Sequence, residues 1–227
     1  MIEFMHWLQS FSTPTLDAIF LLITNLVNEA VFLCIAVWIF WCVDKKKGLK
    51  IVSVFAFGFS LNYALKSLFQ IPRPFQRSEL IRAIDTQTSY GYSFPSAHAQ
   101  TTSGFFTVLY RCFPRPGVLW TGIIFTVLVA ASRVYLGVHT PVDVGVGILV
   151  GIVSMWALDV AFELIFSRKK ESWLLFCVPA AIVAMAIWPD EDVLQILAVF
   201  IGFIIGYVVD ERWIHLKADL TFRRKVI

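Results

Sequence analysis

The stretch "LKIVSVFAFGFSLNYALKSLFQIPRP", residues 49–74, combines the two features that decide how this chain folds. Its apolar run, 49–71, matches the roughly 20 residues that an α-helix needs to cross the hydrocarbon core of a bilayer. The run ends where Arg73 lies between two prolines, which break the helix and hold the cation on a stiff turn. Lys66 already introduces a charge into the last turns of the run. We therefore predict a membrane helix that ends in a positively charged site.

The composition of the whole chain is that of a protein surrounded mainly by lipid. Of its 227 residues, 58% are hydrophobic and 15% are charged, and the mean hydropathy is +0.75. Ordinary globular domains carry about 25% charged residues. The net charge of +3 is small, and the basic residues lie in links between apolar runs, which argues against nucleic-acid binding. The sequence thus predicts an integral membrane protein with membrane lipids as its surroundings.

Similar apolar runs recur along the chain, so we predict a single all-α domain, residues 1–227, built as a polytopic bundle of about six to seven transmembrane spans. A shorter apolar stretch, 13–26, fits a re-entrant or interfacial helix, or the first half of a broken span. Two of the predicted spans lie in the C-terminal part, 172–210. The spans are expected near residues 28–43, 49–71, 98–113, 118–137, 142–166, 172–188 and 193–210.

The links between these runs carry the charge that orients a membrane protein. The links at 44–48, 111–117 and 167–172 are short and basic, and loops rich in Lys and Arg stay in the cytoplasm. Alternation of the spans then places 72–97 and 138–141 on the outer side. We expect an integral protein of a bacterial inner (plasma) membrane whose polar chemistry faces away from the cytoplasm.

Two polar clusters border the long link 72–97. The first contains Lys66 and Arg73. In the second, the motif "PSAH", Ser96 is well placed as the N-cap of the next helix and His98 lies in its first turn. A helix N-terminus offers unpaired N–H groups and partial positive charge to an anion. Each residue also has a simpler interpretation, since Lys66 could reach for lipid headgroups and Ser96 could act as a cap alone.

A third cluster is "SRVYLGVHTPVD", residues 132–143. Arg133 ends one span, and His139 precedes the next, for which Thr140 is the expected N-cap before a proline. Asp143 falls in the first helical turn, from which its carboxylate can reach back toward the histidine. A carboxylate that pairs with one imidazole nitrogen leaves the other free to attack. The simpler interpretation is that Asp143 only compensates the helix dipole.

The predicted topology brings all three clusters to one membrane surface. Charged residues at membrane depth are costly, so several that converge on one place indicate a functional site. Phosphate fits the set best, because arginine suits bidentate contact with its oxygens. One histidine can attack phosphorus while another protonates the departing oxygen. The sequence shows neither a dense carboxylate cluster nor a cluster of His and Cys with metal-ligand spacing. We therefore expect chemistry without a metal or another cofactor.

These motifs resemble those of the type 2 phosphatidic acid phosphatase (PAP2) family, whose site is similar to that of vanadium haloperoxidases and glucose-6-phosphatase. The family pattern is a lysine, six residues and Arg-Pro; then Pro-Ser-Gly-His; then Ser-Arg, five residues, His, three residues and Asp. Every spacing matches in the motif region, residues 66–143. The resemblance implies the helical core of that family and metal-independent hydrolysis of a lipid phosphate.

The resemblance also implies a role for each matching residue. His139 would be the nucleophile that forms a phosphohistidine, oriented by Asp143, and His98 would be the general acid. Ala97 stands where the family usually has glycine. Alanine keeps the backbone N–H, so we expect activity to survive unless this position requires a positive φ. The residues implied to hold the phosphate are Lys66, Arg73, Ser96, Ala97 and Arg133.

A substrate that enters sideways from the bilayer would suit a site among spans rich in Phe, Leu and Val. Candidates are polyprenyl diphosphates such as undecaprenyl diphosphate, phosphatidic acid, phosphatidylglycerol phosphate and sphingoid phosphates. Two alternatives remain. A phosphotransferase would pass the group to an acceptor other than water, and a transporter would use the basic site without chemistry. The acids Asp159 and Glu163 are the one hint of transport, but the nearby basic link at 167–170 favours ordinary charge pairing.

Overall fold

The computed structural model describes residues 1–26, 29–85, 89, 91–187 and 191–216, and all regular secondary structure in these ranges is helical. A 3₁₀ turn, Glu171–Phe176, precedes the ninth helix, and a π-helical turn, Asp210–Ile214, follows the tenth. The α-helices are α1 Ile2–Ser10, α2 Pro14–Leu26, α3 Glu29–Cys42, α4 Lys45–Phe69, α5 Pro74–Arg77, α6 Ala97–Cys112, α7 Pro116–Tyr135, α8 Pro141–Ser167, α9 Cys177–Ile187 and α10 Glu191–Val209.

The prediction of an all-α polytopic membrane bundle is confirmed. The predicted count of six to seven spans is not confirmed, because α6 has 16 residues and α9 has 11, short of the roughly 20 that a span needs. Within the described part of the chain, 5 segments are long and apolar enough to cross a membrane: Pro14–Cys42, Lys45–Arg77, Pro116–Tyr135, Pro141–Ser167 and Val193–Ile214.

Large apolar side chains cover the outward faces of the long helices. On α7, Ile124 and Val127 are exposed, and on α8 the same is true of Leu149, Val153 and Trp156. Apolar surface of this extent is unfavourable in water but suits the acyl chains of a bilayer. The exposed faces of α7 and α8 are therefore lipid-facing.

The apolar stretch 13–26 contains helix α2, which packs against α7. The ring of Phe20 stacks on that of Tyr135 with the ring centroids 4.3 Å apart. Thr24, further along α2, is buried and accepts a hydrogen bond of 3.1 Å from the guanidinium of Arg133. The stretch 13–26, whose structure the sequence did not decide, thus lies beside the end of α7 that carries the third motif.

Helix α6 occupies the middle of the bundle, where it packs against α4, α7 and α8. Glycines on α8 allow its backbone to approach that of α6 closely. A Cβ atom on Gly151 would lie 2.3 Å from the carbonyl oxygen of Gln100, and one on Gly147 would lie 2.7 Å from that of Ser96. This close contact brings the start of α8 against the start of α6.

The direction of the helices separates the motifs from the basic links. Helices α4 and α7 end, and α6 and α8 begin, at the end of the bundle where the three motifs lie. The basic links at 44–48, 111–117 and 167–172 lie at the opposite ends of the same helices.

The acids that hinted at transport are part of an ion-pair cluster near the end of the basic links. Buried Lys50 on α4 donates to Asp159 at 2.9 Å and also to Glu163, while Arg111 on α6 donates to Asp159. The expected charge pairing is present, but the partners are Lys50 and Arg111 rather than the link at 167–170. The carboxylate of Asp159 is paired with two cations inside the bundle, which accounts for it as a structural ion pair. It therefore no longer favours a transporter.

Candidate active site

The first motif is shaped by the end of α4. The helix stops at Phe69, and Gln70 adopts the left-handed conformation with φ 49°. Arg73 follows as the N-cap of the short helix α5 and is 2% exposed. Its Nε atom donates to the carbonyl oxygen of Gly91 at 3.1 Å, and one terminal nitrogen donates to that of Val138 at 3.1 Å. Backbone acceptors from two loops thus fix this buried guanidinium.

The third motif caps α8 as the sequence predicts. The side chain of Thr140 accepts from the backbone N–H of Asp143 at 3.2 Å, and the carboxylate of Asp143 accepts from the N–H of Thr140 at 2.7 Å. His139 precedes this capping box and is 1% exposed. Its backbone N–H donates to the carbonyl oxygen of Arg133 at 3.3 Å. The cap therefore fixes the backbone position from which the side chain of His139 projects.

The imidazole of His139 lies between the first motif and Asp143. Its Nε2 atom is 3.4 Å from a terminal nitrogen of Arg73. Its Nδ1 atom is 4.0 Å from Oδ2 of Asp143, which is beyond hydrogen-bond distance. The hydroxyl of Ser93 lies between them, 2.7 Å from Oδ2 of Asp143 and 3.4 Å from Nδ1 of His139. From the sequence, Ser93 belongs to the group of polar residues before helix α6, but the motifs gave it no role; the signal was a hydroxyl two residues before "PSAH" in the long link.

Burial and the positive charges of Arg133, Arg73 and Lys66 hold the pKa of His139 well below its usual value. The imidazole is therefore neutral at physiological pH. A neutral imidazole carries the lone pair that a nucleophile needs, so the environment favours attack over simple ion pairing.

The second motif begins α6. Ser96 is fully buried at the N-cap position, and its N–H donates to the carbonyl oxygen of Asp143 at 3.0 Å. Its hydroxyl does not cap the helix and has no hydrogen-bond partner among the described residues. The interpretation of Ser96 as a cap alone is therefore wrong. Ala97 is the first helical residue and does not have a positive φ, so the structure meets the condition under which alanine is acceptable here.

Arg133 is fully buried at the end of α7. One terminal nitrogen donates to Asp85 at 2.7 Å and to the hydroxyl of Thr24 at 3.1 Å. Sequence reasoning missed both partners. A carboxylate is a common partner of an arginine at membrane depth, which was a signal to search the long link for an acid, but nothing in the sequence pointed to Thr24.

The remaining predicted residues join the same cluster. Lys66, half-buried near the end of α4, interacts electrostatically with Arg73, Arg133 and Asp143. His98, in the first turn of α6, interacts with Arg133 and Lys66 in the same way. All the catalytic and phosphate-binding residues predicted from the sequence thus meet at one end of the bundle. In the described ranges, no group of three or more His, Cys, Asp or Glu residues is arranged to hold a metal ion.

The N-terminal helices support the link that carries Asp85. The side-chain amide of Gln9 on α1 donates to the carbonyl oxygen of Arg82 at 2.8 Å and to that of Tyr135 at 2.9 Å. The guanidinium of Arg82 in turn pairs with Asp17 on α2 at 3.0 Å. Helices α1 and α2 thus contact residues close in sequence to Asp85 and Arg133, the two members of the buried ion pair.

The fold and the site together define a helical membrane protein with a buried cluster of cations and histidines at helix N-termini. A family model described as the PAP2 superfamily matches residues 47–167, so the chain belongs to that family. The resemblance drawn from the motifs is confirmed.

Named relatives of this chain are phosphatases. It is 24% identical over 236 aligned positions to "Dihydrosphingosine 1-phosphate phosphatase C823.11" of Schizosaccharomyces pombe, covering 93% of this chain and 57% of that protein. It is 28% identical over 146 positions to "Undecaprenyl-diphosphatase BcrC" of Bacillus subtilis, covering 63% of this chain and 74% of the relative. The chain spans less than two thirds of the fission-yeast protein.

A solved structure supports the same assignment. The crystal structure of Aquifex aeolicus LpxE is similar with a TM-score of 0.61 and 25% identity, covering 69% of this chain and 92% of that one.

Proposed function

We propose that this chain is a metal-independent phosphatase that hydrolyses a lipid phosphate or diphosphate through a phosphohistidine at His139. The observation that carries the proposal is a neutral, buried imidazole 3.4 Å from Arg73 and under the charges of Arg133 and Lys66, with the unsatisfied hydroxyl of Ser96 at the start of the neighbouring helix α6. Buried cations are costly without enough counter-charge, and a phosphate among Lys66, Arg73 and Arg133 would add negative charge to that of Asp85. A histidine beside that phosphate then has both the acceptor and the charge stabilisation that phosphoryl transfer requires.

The reaction has two steps. In the first, Nε2 of His139 attacks phosphorus, the bond from phosphorus to the leaving oxygen breaks, and protonated His98 gives that oxygen a proton. Burial and the charge of Arg133 lower the pKa of His98, and the negative charge of the bound phosphate raises this pKa again, so that the imidazole can carry the proton. In the second, water attacks the phosphorus, its proton passes to His98, and the bond from phosphorus to nitrogen breaks to release phosphate. The groups that hold the phosphate oxygens are Lys66, Arg73, the Ser96 hydroxyl, the Ala97 N–H and Arg133.

The substrate class follows from the surroundings of the site. The helices that carry it expose apolar faces to lipid, so a lipid substrate can reach it from the side. Relatives are named for an undecaprenyl diphosphate and for a sphingoid phosphate, which is consistent with a lipid phosphate or diphosphate here. Because basic links stay in the cytoplasm, the proposed site faces the outer side of a bacterial inner membrane.

The experiment that tests this proposal is phosphate release by the detergent-purified protein in the presence of EDTA. The panel contains undecaprenyl diphosphate, phosphatidic acid, phosphatidylglycerol phosphate and a sphingoid phosphate. We expect release from at least one lipid, with a rate unchanged by EDTA. Release that EDTA abolishes would contradict the metal-independent mechanism. If the folded protein releases no phosphate from any lipid, the hydrolase proposal is wrong, and transfer to another acceptor would be tested next.

The role of His98 predicts a loss that depends on the leaving group. We expect His98→Ala to lower kcat/KM, which reports the first step, about 10²–10⁴-fold on a lipid monophosphate, whose alkoxide requires a proton to depart. The same variant should lose far less on p-nitrophenyl phosphate, because nitrophenolate leaves without protonation. The two substrates are compared on one preparation, so a folding defect cannot produce the difference. Equal losses on both would contradict the assignment of His98 as general acid.

A further inference from the structure

The residue that the resemblance implies as the orienting group for His139 does not contact it directly. The distance from Nδ1 of His139 to Oδ2 of Asp143 is 4.0 Å, whereas the hydroxyl of Ser93 lies 3.4 Å from the first atom and 2.7 Å from the second. We infer that Ser93 is a positioning residue that connects the carboxylate of Asp143 to the imidazole of His139. The inference rests on the proposed function, because it concerns the orientation of the proposed nucleophile.

The donors and acceptors of the three side chains allow one consistent arrangement of protons. An ionised carboxylate can only accept, so the single proton of the Ser93 hydroxyl is donated to Asp143. With that proton donated, the serine oxygen can only act as an acceptor toward His139. Nδ1 of the neutral imidazole must therefore carry the ring proton. The lone pair is therefore on Nε2, the atom that faces Arg73 at 3.4 Å. A guanidinium can only donate, so Arg73 favours the same Nδ1–H tautomer, and Ser93 and Arg73 together select the form that can attack phosphorus.

The backbone holds Ser93 in this position. Ser93 is fully buried, and its N–H donates to the carbonyl oxygen of Ile71 at 2.8 Å. On the other side, Oδ2 of Asp143 also accepts from the N–H of Thr140 at 2.7 Å. The hydroxyl therefore connects two segments that are each fixed independently, the link before α6 and the cap of α8. This is the arrangement expected of a group that orients a neighbour.

The connection also matters after the attack. When Nε2 forms its bond to phosphorus, the ring keeps its Nδ1 proton and gains positive charge, and no proton has to leave the chain of hydrogen bonds. The negative charge of Asp143 then acts on the ring through the polarised hydroxyl. Without that hydroxyl, Arg73 alone favours the Nδ1–H tautomer, so a larger fraction of the neutral rings carries its proton on Nε2 and lacks the nucleophilic lone pair.

The test uses Ser93→Ala, with Ser93→Thr as the conservative variant that keeps a hydroxyl. A matched control is Ser103→Ala, which removes another buried hydroxyl, one that donates to the carbonyl oxygens of Gln100 and Ile148. We expect Ser93→Ala to lower kcat about 10–100-fold with KM nearly unchanged, as for other groups that orient a reactive ligand. Ser93→Thr should recover most of the loss, and Ser103→Ala should keep wild-type kcat.

A second measurement separates this inference from the proposed function. In protein labelled with ¹⁵N-histidine, the wild type should show the Nδ1–H tautomer for the ring whose signal disappears in His139→Gln. Ser93→Ala should shift that ring toward the Nε2–H tautomer, whether or not any lipid is hydrolysed. An unchanged tautomer in Ser93→Ala, or an unchanged kcat in an active enzyme, would overturn the inference. Failure of the wild type to release phosphate would overturn the proposed function alone.

Discussion

His139→Ala is expected to lower phosphate release by at least about 10³-fold, because it removes the atom that forms the covalent bond to phosphorus. Binding should survive this change, since Arg73, Arg133 and Ser96 remain in place. Inorganic phosphate should therefore still raise the Tm of the variant, as it raises that of the wild type. The combination of lost turnover and retained binding distinguishes a missing nucleophile from a collapsed site.

The covalent intermediate gives a direct measurement of the same prediction. The wild type mixed with a ³²P-labelled lipid phosphate and quenched in alkali should retain label on the protein, whereas His139→Ala should retain none. A matched control is His6→Ala, because His6 is exposed on α1, where its ring forms a hydrogen bond with the backbone oxygen of Leu80, outside the proposed site. This control should keep full activity and labelling. Label on His139→Ala, or release at a wild-type rate, would show that another residue is the nucleophile.

Local chemistry made much of the fold and of the site predictable. Each predicted apolar run from 28–43 to 193–210 has a helix within a few residues of it, because the length of an apolar run is set by the bilayer. The capping box of Thr140 and Asp143 was predictable for a similar reason, since it depends on residues three apart in one chain segment. The positions of His139 and Arg73 then followed from the ends of their own helices.

Contacts between distant segments could not be predicted in this way. Thr24 and Asp85 both accept hydrogen bonds from Arg133 although they lie in two distant parts of the chain. No residue spacing in the sequence predicts these contacts. Ser93 lies just before α6 and donates a hydrogen bond to Asp143 at the start of α8. This hydrogen bond therefore depends on how closely α6 and α8 approach and pack. The behaviour of Ser96 depends on the same approach. Its N–H is bonded to Asp143 across the interface, while its side chain leaves the helix uncapped.

That approach is tested by Gly147→Ala, which adds one methyl group at the interface of α6 and α8. The new Cβ would lie 2.7 Å from the carbonyl oxygen of Ser96, and a backbone atom cannot rotate away as a side chain can. The start of α6 must therefore move, together with Ser96, Ala97 and His98. A displacement of about 1 Å in a site of this kind can cost about 10²-fold, so we expect a loss of kcat/KM of that order. Overpacking should also lower the free energy of unfolding by about 1–3 kcal/mol.

Gly145→Ala is the matched control, because it makes the same change on the same helix, where the new Cβ would meet no described residue within 4 Å beyond the neighbouring turns of α8 itself. We expect its activity and Tm to stay close to those of the wild type, since alanine is at least as favourable as glycine inside a helix. The comparison isolates the contact with Ser96 from the general effect of alanine on α8. If Gly147→Ala were as active as Gly145→Ala, the phosphate site would not depend on the close packing of α6 against α8. The positions of Ser96 and Ser93 relative to Asp143 would then have to be maintained by the link before α6 alone.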